Sequence, residues 1–458
     1  MNRVSKRASI LLLLIFLLLG GLGFFMYEYI TRAEIWIVSP GSPHIFNSTN
    51  IGTGKVTDRS GTLLLDITEQ RSYAESGTLR KATLHWLGDR QGRISSPAIA
   101  HYGREMTGFD LVNGLYTYSG EKGTAKLTLS AEVQKAALKA LGDRKGTIGV
   151  YNYKTGEILC AVTTPTYDPD KVPDVEGDES GAWEGVYLNR FTQSVYIPGS
   201  IFKTVTTAAA LECIPDIQER TFKCEGIYQY GIDKVSCEHA HGKLTLAQAL
   251  TRSCNCIFGQ IANLVGGETL QKYADQFGVV RSVSFDGITT ARGNFNVKNE
   301  APVEIAWGGI GQFTDQINPC AFMTYMGAVA GGGEAAVPHV VASVKLEGEY
   351  TYQADADTTG RIMSRQTALT LQEMMRGNVV NNYGAGNFPG LIVCAKSGTS
   401  QLGGGQTSNA MFAGFITDEQ YPLAFIVVVE NGGYGASTCV PVLSKVLASC
   451  KSVLDAEK

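Results

Sequence analysis

The sequence predicts a mixed α/β (α+β) protein behind an N-terminal membrane anchor, with a small β-rich domain followed by a larger one. Three observations carry this. Residues Ile10 to Met26 form an unbroken run of apolar residues and glycine. Strand-like runs stand at both ends of residues 126–458, with helical patterns between them. The chain has 458 residues, too many for one ordinary domain, and its 44% hydrophobic and 18% charged content fits folded rather than disordered protein.

The elements follow in order. "MNRVSKR" carries three cations, so residues 1–8 read as a cytoplasmic tail and residues 9–30 as a transmembrane helix, extended through Tyr27 to Ile30 with Glu28 at headgroup level. The cations place the N-terminus in the cytoplasm and everything after Arg32 outside. A cleaved signal peptide ending at "GGLG" is the alternative; the long apolar run and the interfacial aromatics "FFMYEY" favour an uncleaved anchor. Residues 33–125 form a small N-terminal domain that contains "GKVTDRSGTLLLD", two short strands about a Ser-Gly turn. From there to Gly123 the chain is polar and glycine-rich, with short strand-like pieces. In the domain from 126 to 458, "SAEVQKAALKAL" is a helix capped by Ser130. "GTIGVYNYKTGEILCAVTTP" is a hairpin about Lys-Thr-Gly. Residues 200–330 are mainly helical. "LIVCAKSGTS", "NAMFAGFITD" and "LAFIVVVENGG" form a meander, and a final helix follows. Hairpin and meander together make one five-stranded antiparallel sheet flanked by helices, with the middle as an all-helical lobe.

Composition excludes several functions. A net charge of -4, with no basic run beyond the first seven residues, argues against nucleic acid as a partner. The six histidines show no metal-ligand spacing, and His239 and His241 are an i, i+2 pair of structural or incidental kind. Cys254 and Cys256 in "CNC" have too few partners for zinc, so neither a metal nor a cofactor is expected. All ten cysteines lie between Cys160 and Cys450. Cys224 and Cys237 flank a polar, glycine-containing loop and are the candidate disulfide; the others read as small buried hydrophobes.

Chemistry enters at "PGSIFKTVTTAAAL". A helix beginning near Ser200 brings Ser200 and Lys203 onto one face. That spacing alone also describes a capping serine and a solvated lysine, and "SGEK" (Ser119, Lys122) repeats it. Downstream come "TRSCNC", with Ser253 and Asn255, and "CAKSGTS", with Lys396, Ser397, Gly398 and Thr399. A second Lys-Thr-Gly, at Lys154 to Gly156, sits in a hairpin turn before Ser200, where that tripeptide is ordinary turn chemistry. Lys396 instead ends an apolar strand. "GASTC" lacks the last glycine of a G-x-S-x-G elbow, which argues against a Ser-His-Asp hydrolase.

The residue types answer a chemical need. A serine hydroxyl requires a base in contact. Lys203 serves as a neutral amine if burial and the nearby cation Lys396 depress its pKa. Ser253 can relay a proton to a leaving amine, and Asn255 can orient Lys203 and donate to an acyl-chain amide. Two backbone N–H groups, of Ser200 and Thr399, are the expected oxyanion hole. Gly398 leaves room for a substrate backbone to add to the strand. Ser397, Thr399 and Lys396 would hold a terminal carboxylate.

Serine-x-x-lysine, serine-x-asparagine and lysine-[Ser/Thr]-glycine, in that order, resemble the signature of penicillin-recognising serine acyl-transferases. The chain is similar over most of its length to the class B penicillin-binding proteins in their short form: "GKVTDRSGTLL", "YIPGSIFK", "HGKLTLAQALTRSCN", "IAWGGIGQFTDQINP" and "AKSGTS" each resemble a family segment. Ser397 stands where threonine is common and Phe412 where tryptophan is frequent. The resemblance implies a peptidoglycan D,D-transpeptidase acting on D-Ala-D-Ala stem peptides through a Ser200 acyl-enzyme and inhibited by β-lactams. It also implies a pedestal that touches a polytopic cell-wall glycosyltransferase, although residues 33–125 are short for the family. Two alternatives share the fold: a D,D-carboxypeptidase or β-lactamase, and a non-catalytic β-lactam sensor or assembly scaffold. No base aimed at a deacylating water is evident for a β-lactamase, and only about eight residues precede the anchor, few for a signalling domain.

Overall fold

The computed structural model describes residues 2–38, 54–68, 71–110, 114–115, 121–401 and 405–458. A single helix, Asn2–Val38, contains the apolar run, and the side chains of residues 4–26 stand free of the rest of the protein.

The five-stranded sheet forms with the expected partners. Its order is Val393–Ser400, Asn409–Ile416, Leu423–Val429, Gly146–Asn152, Ile158–Thr164, and every pairing is antiparallel. Hairpin and meander meet in a register running from Leu423 opposite Asn152 to Val429 opposite Gly146. The apolar runs are continuous because both faces are covered: every residue of Leu423–Val429 is buried. One face carries Ile148, Val150, Phe412, Phe425 and Val427 into a core with the helices Ala131–Leu141 and Gly435–Ala456. The other carries Met411, Ala413, Phe415, Ile426 and Val428 into a second core built on the helix Pro319–Ala330. The helical lobe, including Lys203–Cys213, Asn255–Val265, Gly267–Gln276, Pro302–Gly309 and Arg365–Asn378, continues that second core. Ser130 caps its helix as expected, accepting from the Val133 N–H at 3.4 Å.

The N-terminal region departs from expectation twice. The stretch between Ile67 and Gly123 contains three helices, Gly77–Leu87, Pro97–His101 and Gly103–Thr107, where only strand-like pieces were expected. Pro97–His101 and Gly103–Thr107 span five residues each, and the 11-residue Gly77–Leu87 draws on tertiary packing: the Trp86 indole donates to Ala161 O at 2.7 Å, and Gln134 Nε2 to Ala82 O at 2.9 Å. The strands Gly54–Thr57 and Leu63–Asp66 do pair about the Ser-Gly turn. They belong, however, to a six-stranded sheet ordered Glu349–Gln353, Val341–Leu346, Gly123–Leu127, Gly54–Thr57, Leu63–Asp66, Ser72–Tyr73. The boundary expected at 125/126 falls inside the strand Gly123–Leu127, and the hairpin Val341–Leu346/Glu349–Gln353 completes this six-stranded sheet. Buried Asp58 locks the join: its Oδ1 accepts from the Ser60 and Thr62 N–H groups at 2.8 Å, and its Oδ2 from the Ala131 N–H at 2.9 Å.

Candidate active site

The strand Val393–Ser400 lies at the sheet edge, and the short turn Gly199–Ile201 packs against it. Two glycines permit that approach. Gly199 adopts φ +54, and a Cβ there would stand 2.6 Å from Thr399 O. A Cβ on Gly398 would stand 2.7 Å from Pro198 O and 3.0 Å from Ile201 Cγ2, so it is the nucleophile turn that requires glycine at this position. The turn runs into the helix Lys203–Cys213, which places Ser200 at the cleft and Lys203 one turn deeper, fully buried.

Lys203 Nζ is the hub. It lies 2.9 Å from Ser200 Oγ and donates to Asn255 Oδ1 at 2.6 Å, Ser253 O at 2.8 Å and Ser253 Oγ at 3.2 Å. Lys396, 1% exposed, donates from the opposite side to Ser253 Oγ at 3.1 Å and to Ser397 O at 2.8 Å. Burial lowers the Lys203 amine to about 7, with the charge of Lys396 adding to the effect. Lys396 is likewise lowered to about 7 by burial. The oxygens within hydrogen-bond reach of these two amines are all uncharged, so a neutral amine is available near pH 7 beside a serine hydroxyl.

The second segment is delivered by a sharp turn. The helix Leu246–Thr251 carries a capping box of Thr245 and Gln248, and its C-cap is Arg252. Ser253 takes φ +52, and the helix Asn255–Val265 then begins. This left-handed residue turns the Ser253 hydroxyl toward both lysines, an uncommon backbone state held by its surroundings. Asn255 spends one amide hydrogen on Ser236 O at 3.0 Å and keeps a second donor.

On the edge strand, Ser397 N–H donates to Tyr383 Oη at 3.0 Å, and Thr399 O accepts from Gln312 Nε2 at 3.2 Å. In an antiparallel strand the N–H and C=O of one residue point the same way, so the Thr399 N–H faces the open edge beside the Ser200 turn. Ser200, Ser253, Asn255, Ser397 and Thr399 all line one cleft of about 770 Å³.

Residues 146–448 match the penicillin-binding protein transpeptidase domain, which is about two thirds of the chain. The chain belongs to this family. This class B penicillin-binding transpeptidase is 26% identical over 373 residues to the peptidoglycan D,D-transpeptidase PbpA of Mycobacterium tuberculosis, covering 74% of each chain. Among solved structures it superposes on the D,D-transpeptidase domain of a peptidoglycan glycosyltransferase from Eggerthella lenta with a TM-score of 0.75, at 26% identity, over 88% of this chain and 98% of that one. It shares its fold, at 22% identity and a TM-score of 0.76, with a ceftriaxone acyl-enzyme complex of the M. tuberculosis penicillin-binding protein A, over 88% of this chain and 99% of that one.

In the transpeptidase structure all eight expected site residues, Ser200, Lys203, Ser253, Asn255, Lys396, Ser397, Gly398 and Thr399, meet between the sheet edge and the lobe. Sequence reasoning missed Tyr383, whose Oη lies 2.9 Å from Ser397 Oγ at the end of the π-turn Val379–Tyr383. It also assigned no role to Gln312, whose side chain spans from Thr399 O to the Gln401 N–H. Ser119 of the decoy pair lies outside the described residues. The candidate disulfide is corrected: the Cys224 and Cys237 sulfurs are 3.8 Å apart and both cysteines are free, whereas an S–S bond is about 2.05 Å long. The shortage of metal ligands around "CNC" is also corrected, because folding brings Cys224, Cys237 and His241 to Cys254.

Proposed function

We propose that the chain cross-links peptidoglycan as a D,D-transpeptidase in which Ser200 is acylated and Lys203 is its base. The observation that carries this reading is the buried Lys203 amine, 2.9 Å from Ser200 Oγ and lowered to about 7. Ser200 Oγ attacks the carbonyl of the penultimate D-Ala of a stem peptide, and its proton passes to Lys203. The oxyanion sits between the Ser200 and Thr399 N–H groups. Collapse breaks the peptide bond, and the departing D-Ala amine takes a proton through Ser253, which bridges the two lysines. An amine of a neighbouring stem peptide then attacks the acyl-enzyme and restores Ser200. Ser397 and Thr399, with the charge of Lys396 behind them, receive the terminal carboxylate. A β-lactam follows the same first step, but its leaving amine stays tethered.

The apolar helix Asn2–Val38 supports single-pass anchoring with the N-terminus in the cytoplasm and the catalytic domain outside. Residues 33–125, joined by the hairpin Val341–Gln353, act as the pedestal, and a polytopic cell-wall glycosyltransferase is the partner such a membrane-proximal surface would meet.

Labelling of the full chain with a fluorescent penicillin tests the assignment. One stable label per chain is expected, absent in Ser200→Ala. Persistence of label in that variant overturns the nucleophile, and rapid multiple turnover of the penicillin replaces the transpeptidase by a hydrolase.

A further inference from the structure

Beside the catalytic lysines lies a second cluster that the acyl-transfer chemistry does not use. Cys224, Cys237, His241 and Cys254 come from three separate stretches of chain, yet their ligand atoms all lie within 4.8 Å of one another. Cys224 ends the strand Thr221–Cys224, which pairs with Gly242–Thr245, His241 precedes that partner strand, and Cys254 separates Ser253 from Asn255.

We propose that these four residues bind one zinc ion, which fixes the serine-x-asparagine turn in its catalytic position. Zinc–sulfur bonds of about 2.3 Å and zinc–nitrogen bonds of about 2.05 Å, arranged tetrahedrally, require S···S edges of about 3.8 Å and S···N edges of about 3.6 Å. Of the six edges, three are 3.8 Å for Cys224–Cys237, 3.7 Å for Cys237–Cys254 and 3.5 Å from Cys224 Sγ to His241 Nδ1, and the other three are within 4.8 Å. A disulfide would shorten one edge to about 2.05 Å and leave the other two groups without a purpose. Three thiolates and one imidazole suit zinc, and four protein ligands leave no open position, the mark of a structural rather than a catalytic ion.

The surroundings support the set. The Cys256 N–H donates to Cys237 Sγ at 3.4 Å, as backbone amides do toward metal-bound thiolates, while Cys256 Sγ lies 3.5 Å from both Cys237 Sγ and Val235 O, outside the four-residue set. Cys224 and Cys254 are buried, and Cys237 and His241 are half-buried at the cleft wall. The ion would therefore tie together both neighbours of the catalytic turn. Ser253 and Asn255, on either side of Cys254, hold Lys203, and Ser236, next to Cys237, accepts from Asn255. The ion would add a tie at Cys254 to the hydrogen bonds and core packing that hold the left-handed Ser253.

The test is the metal content of the full chain after gel filtration, measured by mass spectrometry, together with the spectrum of a cobalt-exchanged sample. One zinc per chain and the charge-transfer bands of tetrahedral thiolate-bound cobalt are expected. Cys224→Ser and His241→Ala lose the metal, while Cys256→Ala and Ser200→Ala keep it. Stripping zinc from wild-type protein with a chelator is expected to slow penicillin acylation on the order of tenfold, with recovery on adding zinc and none on adding magnesium. A metal-free chain, a Cys224–Cys237 disulfide in the peptide map, or zinc retained in both ligand variants overturns the site. Zinc loss without a change in acylation overturns its positioning role. Metal content is read without penicillin, so these results stand apart from the assignment of Ser200.

Discussion

Lys154-Thr155-Gly156 and Lys396-Ser397-Gly398 are nearly the same tripeptide, one in a turn and one in a strand of the same five-stranded sheet system. The first joins the strands Gly146–Asn152 and Ile158–Thr164, and its backbone N–H groups at Lys154 and Thr155 are capped by Asn152 Oδ1 at 2.9 and 3.2 Å. Lys154 is exposed. The second lies on the opposite edge strand, where the lobe covers it and Lys396 is 1% exposed against Ser253. The difference shows that the tripeptide is not chemically special by itself. The lysine at the turn stands in water, whereas the lysine under the helical lobe loses its hydration, and burial lowers Lys396 to about 7, where it can exchange a proton.

The sharpest way to test this contrast is to remove the buried amine nearest the nucleophile. Lys203→Met keeps most of the stem's volume and should lower the penicillin acylation rate about 10²- to 10⁴-fold, with circular dichroism unchanged. An acylation rate within a few fold of wild type would break the assignment of Lys203 as base. Next in size is the pH dependence. Because burial lowers Lys203 from 10.5 to about 7, the competent neutral form grows as pH rises through about 7. Acylation should therefore climb about tenfold per unit below that point and level off above it. A flat profile from pH 6 to 8 would say that the lobe does not change the amine. Tyr383→Phe removes the hydroxyl that accepts from the Ser397 N–H and touches Ser397 Oγ, so a several-fold loss is expected, roughly 1 kcal/mol for one hydrogen bond. It should appear mainly in the concentration of penicillin needed for half-maximal rate. Lys154→Ala should change nothing in acylation rate or melting temperature beyond error, and any loss of acylation there would undo the comparison.

Much of the site was legible because each catalytic segment is short. Ser200 with Lys203, Ser253 with Asn255, and Lys396 to Thr399 each carry their spacing within one turn or one strand, and their order is preserved in the chain. The five-stranded sheet was legible for a related reason: strands covered on both faces, such as Leu423–Val429, read as unbroken apolar runs. What escaped notice depends on distant partners. Asp58 is a lone carboxylate in the text and becomes a cap only when Ala131 arrives. Tyr383 sits in "VVNNYGAG", which has no periodicity, and meets Ser397 through a π-turn. The helices Pro97–His101 and Gly103–Thr107 are too short to declare themselves by pattern, and Gly77–Leu87 packs against distant partners such as Ala161 and Gln134. The cysteine and histidine cluster is assembled from three segments, with spacings that match no familiar ligand motif. Gly398 was legible as a glycine, but the neighbour that excludes a side chain is the turn before Ser200.

The six-stranded sheet has a consequence for how the chain is made. Gly54–Thr57 pairs in parallel with Gly123–Leu127, and that strand has its other edge filled by Val341–Leu346. The closing partner is about two hundred residues further along, so the loop it shuts spans the nucleophile and the whole second segment. On a ribosome working from the N-terminus, the strands of residues 54–73 emerge early and wait with an open edge until the hairpin at 341–353 has been synthesised. The six-stranded sheet is therefore completed after Ser200 and Ser253 have been synthesised, and a fragment ending at residue 125 would lack the strands that finish it.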